Sequence, residues 1–340
     1  MTSKRVLYFD ALNVAACIAV VALHCNQMVH TWQPGKNWMF GLGIEVLFYW
    51  AVPIFFMLSG ATLMKYRERY DTKTFLKKRF ERTVIPFVAW SLILYLLVSV
   101  PMGGAHLGIR TFINMMLNNQ IEQVYWFFFP LFSIYLSMPL VSLLANRPSV
   151  IKYGVATSFV LTSVAPYLFR AIGVTWSGAL SISGFGGMLL YVGLGYLLSN
   201  HDFSHKERTL IYLLGLLAMV IRYLYTAIAS ASLGAVDRLF FDYSSFPAVI
   251  QAVAVFVLFK SCDFSRVGEK GRALLKELSA CSFGVYLIHK PILDHVFLGI
   301  LGISSQSILL RTGGVVILYA LCVGLVFLLK KVPMVNRILP

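Results

Sequence analysis

His24 lies several turns inside the apolar stretch DALNVAACIAVVALHC at 10–25, whose mouth carries Asp10 and Asn13. An ionisable side chain inside hydrocarbon is costly to hold, so it marks a candidate functional site. Asn13 and His24 are eleven residues apart, which at ~3.6 residues per turn returns nearly to one helix face. Asp10 falls within roughly 40° of that face by the same geometry. The three form a polar stripe from the helix entrance to mid-membrane. An imidazole so placed can take a proton from a hydroxyl as a general base. It can also accept an acyl group directly, or simply hydrogen-bond a neighbouring helix.

A second histidine, His289, stands in SACSFGVYLIHKPILDHVF near the middle of another apolar run, with Tyr286 one turn earlier on the same side. The expected role of this pair is to position a substrate or donate to a developing oxyanion. No Cys/His cluster with ligand spacing accompanies the histidines, so no metal site is expected. In EQVYWFFFPLFSIYLSMPL, Glu122, Trp126 and Tyr135 could line an opening, although aromatics at the start of a span often form the interfacial belt. Glu45, Arg170, Arg222, Asp237, Arg238 and Asp242 are further polar candidates near the opposite face. Of these residues, Glu45, Trp126, Tyr135, Tyr286 and His289 are the expected substrate contacts.

The longest polar segment, KYRERYDTKTFLKKRFERTVIP, precedes another apolar run. Its bases suit topology setting and anionic headgroups. Arg79 and Arg82, three residues apart, would share a helix face and form a fork suited to a phosphate or diphosphate, with Lys78 beside them. No Walker loop, dinucleotide glycine fingerprint or GxSxG elbow is found.

Positioning these groups falls to the bilayer. Hydrophobic residues make up 59% of the 340 and charged residues 13%, and mean hydropathy is +0.77. A soluble domain carries ~25% charge. The expected fold is therefore an all-α integral membrane protein, about ten helices around a polar channel. Spans are expected near 9–30, 40–63, 84–100, 123–145, 151–170, 183–199, 209–229, 245–260, 279–299 and 311–330. The formal charge of +15 is concentrated in the gaps on one side, which places both termini in the cytosol and argues against nucleic-acid binding. One membrane domain over 1–340 is expected, without cleavable signal, internal repeat or appended soluble domain. The five cysteines show no disulfide framework.

With these residues assembled, the chain resembles the acyltransferase-3 family of multi-pass membrane acyltransferases, which O-acylate bacterial surface polysaccharides and related acceptors. Five segments carry the resemblance in order: FDALNVAACIAVVALH at 9–24, VPIFFMLSG at 52–60, RFER at 79–82, YWFFFPLFSIYLSMPL at 125–140 and SFGVYLIHKPIL at 282–293. The resemblance implies an acyl-CoA donor, acetyl-CoA in the first instance, gripped through its phosphates by Arg79 and Arg82. It implies an essential histidine, here His24; Asp10 and Asn13, the other catalytic candidates, are expected from the polar stripe to orient polar groups lower in the channel. Many members carry arginine eleven residues before that histidine, where this chain has Asn13. The resemblance further implies transfer to a hydroxyl of a glycan or glycolipid at the outer face of a bacterial inner membrane. Membrane lipids are the remaining partners, no cofactor is held tightly, and self-association is compatible with the sequence. The alternative function is a translocator of a glycan or small polar solute.

Overall fold

The computed structural model describes residues 6–178, 180, 185–333 and 335–339, and these contain no β-strand. The helices in chain order are α1 (Leu7–Cys25), α2 (Lys36–Phe48), α3 (Ala51–Leu63), α4 (Thr72–Arg79) and α5 (Ile85–Leu94). They continue with α6 (Ile109–Leu117), α7 (Phe128–Val141), α8 (Pro148–Ser158), α9 (Ala165–Ala171) and α10 (Leu189–Ser199). The remainder are α11 (His205–Leu233), α12 (Phe246–Ser261), α13 (Glu269–Pro291), α14 (Ile308–Arg311) and α15 (Gly313–Leu329).

Among the described residues, five helical runs are long and apolar enough to cross a membrane: Leu7–Cys25, Lys36–Glu68, Thr72–Ser99, Gln123–Leu144 and His205–Leu233. The apolar helices α10, α12 and α15 are shorter. Sequence spacing separates the basic segment from the span that begins near 84. The structure instead runs them together as one helix over Thr72–Ser99, because π-helical turns at Phe80–Val84 and Tyr95–Ser99 absorb the junctions without a break. Residues 183–184 of the expected 183–199 span lie outside the described residues, and the helix α10 begins only at Leu189, after non-helical residues 185–188.

Helix ends follow local chemistry. Asp71 caps α4 by accepting from the Thr74 backbone N–H at 2.9 Å, and its hydrogen bonds from Thr74 hold this exposed carboxyl below the usual range. Ser204 and Glu207 form a reciprocal capping box on α11, which ends at Gly234 with φ +63°. The outward side of α11 exposes Leu213, Leu217, Leu224 and Ile228, a surface that suits lipid rather than water.

α1 is the central element. Leu12, Ala16, Ala19, Val20 and Leu23 pack into one apolar cluster with α3, α7, α8, α10 and α12. Cys17, Val21, Ala22 and Cys25 pack into a second with α5, α13 and α15. A helix buried on both sides must be apolar nearly all round, which is why its few polar residues stand out.

Among the described glycines, the tightest approaches are between α3 and α10. A Cβ at Gly60 would lie 1.9 Å from the Val192 carbonyl oxygen, and one at Gly195 would lie 1.9 Å from that of Met57. These are backbone collisions that no rotamer relieves, the extreme of small-residue packing between membrane helices. Gly60→Ala or Gly195→Ala should therefore cost at least the ~1–3 kcal/mol of ordinary overpacking. Gly324→Ala, where a Cβ meets nothing within 4 Å, should be neutral. Thermal melting of the detergent-solubilised variants checks this; equal melting of all three would contradict it.

Candidate functional site

α1 and α13 run side by side in the same direction, and their polar residues meet in matching order. Asn13 Nδ2 donates to the backbone oxygen and the hydroxyl of Ser279, both at 3.0 Å. Eleven residues along α1 and ten along α13, His24 Nδ1 and His289 Nε2 are 2.7 Å apart. Their ring centroids are 4.9 Å apart and tilted by 31°.

Asn13 and His24 both line a cavity of ≈ 420 Å³. Asn13, Ser279 and Ala280 line it near the start of α1, and His30, Glu45, Arg238, Tyr243, Phe127 and Tyr286 belong to the rest of its wall. At ~1.5 Å rise per residue, Asn13 and His24 are roughly 16 Å apart along α1, so the cavity extends well to the Asn13 side of the imidazole. A pocket of this size, mostly apolar with few convergent polar groups, has the character of a small-molecule site.

His289 is not on the cavity wall. It is 0% exposed and sits behind His24, with Nδ1 3.0 Å from the Val285 carbonyl and 2.8 Å from that of Tyr286. Its expected direct contact with substrate does not fit this position. Tyr286 does line the cavity, but its hydroxyl is already bonded to the Val124 carbonyl, which leaves no free donor for an oxyanion. Pro291 explains part of this anchoring. A proline cannot donate to the carbonyl four residues earlier, here Leu287, and that carbonyl accepts from Tyr125 Oη at 3.0 Å. The 123–127 turn thereby clamps α13 at the level of the histidines.

The cavity wall on the His30 side is aromatic. Trp126 stacks on Tyr243 with centroids 5.7 Å apart, and Tyr243 stacks on Tyr49 at 4.5 Å. Behind Tyr49 lies the guanidinium of Arg222, 3.5 Å from the ring centroid. Arg222 is 1% exposed and none of its nitrogens has a hydrogen-bond partner, so the cation–π contact is its main compensation. Trp126 is thus part of the cavity rather than an interfacial belt. Glu45, 3% exposed, lines the same region with one carboxylate oxygen unpartnered.

Tyr135 lies elsewhere. It packs edge-on to Phe75 with centroids 6.5 Å apart and supports the Arg79 guanidinium at 5.6 Å. Asp10 is buried but is not on the cavity wall. The basic residues also stand outside the cavity. Lys78 lies over Tyr70 at 4.1 Å, Arg79 is half-buried against Phe75 and Tyr135, and Arg82 is exposed. Arg79 is the last residue of α4 and Arg82 belongs to the π-helical turn after it, so the simple α-helical face that their spacing implies is altered by the wider turn. Among the described residues no group of three or more His, Cys, Asp or Glu is arranged to hold a metal ion.

Sequence reasoning does not single out Ser279, His30, Tyr49 or Tyr243. Serines and tyrosines are common in membrane helices, and His30 stands at the last position of the expected 9–30 span, where an ionisable group reaches the interface. The signal that points to Tyr49 is Arg222, a guanidinium in the middle of an apolar helix that needs a nearby ring or anion.

A helical bundle with apolar outer faces and a half-buried imidazole, His24, facing a cavity defines a membrane protein with a candidate reaction chamber. The family model for the acyltransferase-3 domain, described as an acyltransferase domain, matches residues 6–330, and the chain belongs to this family. No curated protein and no solved structure matches it. The family makes this a membrane-type acyltransferase.

Proposed function

We propose that this acyltransferase moves an acyl group, acetyl in the first instance, from cytosolic acyl-CoA to a hydroxyl of a cell-surface glycan or glycolipid at the outer face of a bacterial inner membrane. The observation that supports this reading best is the cavity itself. His24 stands on its wall, with room for one reactant on the Asn13 side and another beside Glu45, Trp126 and Tyr243. The proposed topology has about ten spans, with both termini and the Arg79/Arg82 segment in the cytosol. The Asn13 end then receives the thioester and the Glu45 end receives the acceptor.

In the proposed reaction, the His24 imidazole takes the acceptor's hydroxyl proton as that oxygen bonds to the thioester carbonyl carbon. The tetrahedral oxyanion then collapses, the carbon–sulfur bond breaks, and the departing CoA thiolate takes the proton from His24. Products are the ester and free CoA thiol, with His24 restored. General-base assistance of this kind contributes typically 10²–10⁴-fold. Arg79 and Arg82 act outside the cavity, on the CoA phosphates, and Lys78 adds positive charge beside them.

Incubation of the purified protein in nanodiscs with acetyl-labelled acetyl-CoA, without acceptor, tests the scheme. CoA binding with no label retained on His24 is expected. Label on His24 would replace the base by a nucleophile, and absence of acyl-CoA binding would favour a translocator.

A further inference from the structure

His289 touches no substrate space, yet it makes the closest polar contact to His24. Its two other contacts constrain what that one can be. Backbone carbonyls only accept hydrogen bonds, so His289 Nδ1, within 3.0 Å of the Val285 oxygen and 2.8 Å of the Tyr286 oxygen, carries the proton. In a neutral ring the other nitrogen, Nε2, is then bare. It faces His24 Nδ1 at 2.7 Å. Two bare nitrogens at that distance would repel, so His24 Nδ1 must hold a proton and donate it. A neutral His24 is left with its lone pair on Nε2 alone.

We infer that His289 is a positioning residue, which reads the backbone of its own helix and imposes on His24 the one tautomer whose bare Nε2 serves as base in the cavity. The inference rests on the proposed base role of His24. It assigns His289 the part that a buried carboxylate plays behind many catalytic histidines, setting the tautomer and ring orientation. Here a neutral ring does so, its own tautomer held by helix carbonyls. When Nε2 takes the acceptor's proton, His24 becomes an imidazolium that still donates from Nδ1 to His289. Both hydrogen bonds survive the step, and the proton leaves from Nε2 to the thiolate.

The residues around the pair fit this assignment. Tyr286 and Leu287 are tied to the 123–127 turn through Val124 and Tyr125, so the segment carrying His289 is held from both sides. Lys290 is paired with Asp294, which also accepts from Gln27 Nε2 at 3.3 Å, and neither is hydrogen-bonded to the imidazoles.

Two variants and one spectrum test the inference. Gln places an amide oxygen near the former Nε2 and can still accept from His24 Nδ1–H, whereas Leu cannot. Release of CoA thiol from acetyl-CoA by native membranes should show kcat reduced about 10-fold or more in His289→Leu, between the ~10–100-fold lost when the partner of a metal-bound histidine is removed and the ~10⁴-fold lost when a triad carboxylate is replaced, with KM for acetyl-CoA unchanged. His289→Gln should recover most of the loss. In nanodiscs, ¹⁵N-histidine spectra of the unaltered protein, with His24 assigned by its loss in His24→Ala, should show a protonated Nδ1 and a bare Nε2. A His24 protonated at Nε2 instead would overturn the inference whatever the variants do. So would wild-type kcat in His289→Leu, or a Gln variant as slow as the folded Leu variant. If His24→Ala itself retains full turnover, the base reading has failed; if only the His289 results disagree, that reading stands and His289 alone loses its role.

Discussion

Replacing His24 with Ala should abolish acyl transfer while the protein stays folded and binds acyl-CoA with unchanged affinity. The expected loss is at least the ~10²–10⁴-fold of a general base. Folding should survive because His24 is on a cavity wall, so the truncation enlarges an existing space instead of opening a new void in the packed flanks of α1. The partner left behind, His289, keeps its bonds to the Val285 and Tyr286 carbonyls and loses only the contact to His24. Binding should survive because the proposed phosphate contacts lie on another element. Labelled acyl transfer in membranes, thermal melting and acyl-CoA titration measure the three quantities separately. Substantial turnover by a folded His24→Ala variant would defeat the base and the nucleophile alike.

The second large effect concerns the donor. Arg79→Ala/Arg82→Ala should weaken acyl-CoA binding tenfold or more, since a charge-assisted hydrogen bond contributes about 1.5–3 kcal/mol. The single variants should differ in kind. Arg82 is exposed, so its loss should lower affinity without affecting stability. Arg79 lies over Phe75 and Tyr135, and its truncation also removes stacking from the junction of α4 and α7. Arg79→Lys would keep the charge but forfeit the planar stack and fork, so affinity should fall between wild type and Arg79→Ala. Calorimetric titration with CoA, and with CoA lacking its 3′-phosphate, measures these differences. Unchanged affinity in the double variant would reject the assignment.

Part of this site is legible in the amino-acid sequence. The eleven-residue interval from Asn13 to His24 is a property of helix geometry, and both side chains do line one cavity. The neighbouring Asp10, also close to that face by count, is not on the wall. Periodicity locates a direction around a helix but not where the surrounding helices leave space. Arg79 and Arg82 show a related gap. Their spacing implies a shared face only on a regular α-helix, and the turn between them is π-helical. Such a turn arises where one helix continues through a junction, and local composition does not announce it.

The length and continuity of the apolar runs determined that the chain is helical and apolar-faced, because hydrocarbon makes the backbone bond to itself and a barrel would need short alternating strands instead. They also made the buried polar residues conspicuous, since each is costly there. Only the tertiary structure decided what those residues meet. Ser279 reaches Asn13 and His289 reaches His24 across 265 or 266 positions of chain, and Trp126, Tyr243 and Tyr49 come from three separate elements to form one stack. The division of labour between the histidines was likewise hidden. Both stand in apolar stretches of sequence, but one opens onto a cavity and the other is sealed behind it, bonded to its own backbone. That difference comes from how α13 packs on α1, with Tyr125 and Tyr286 clamping it, and no spacing within either helix encodes it.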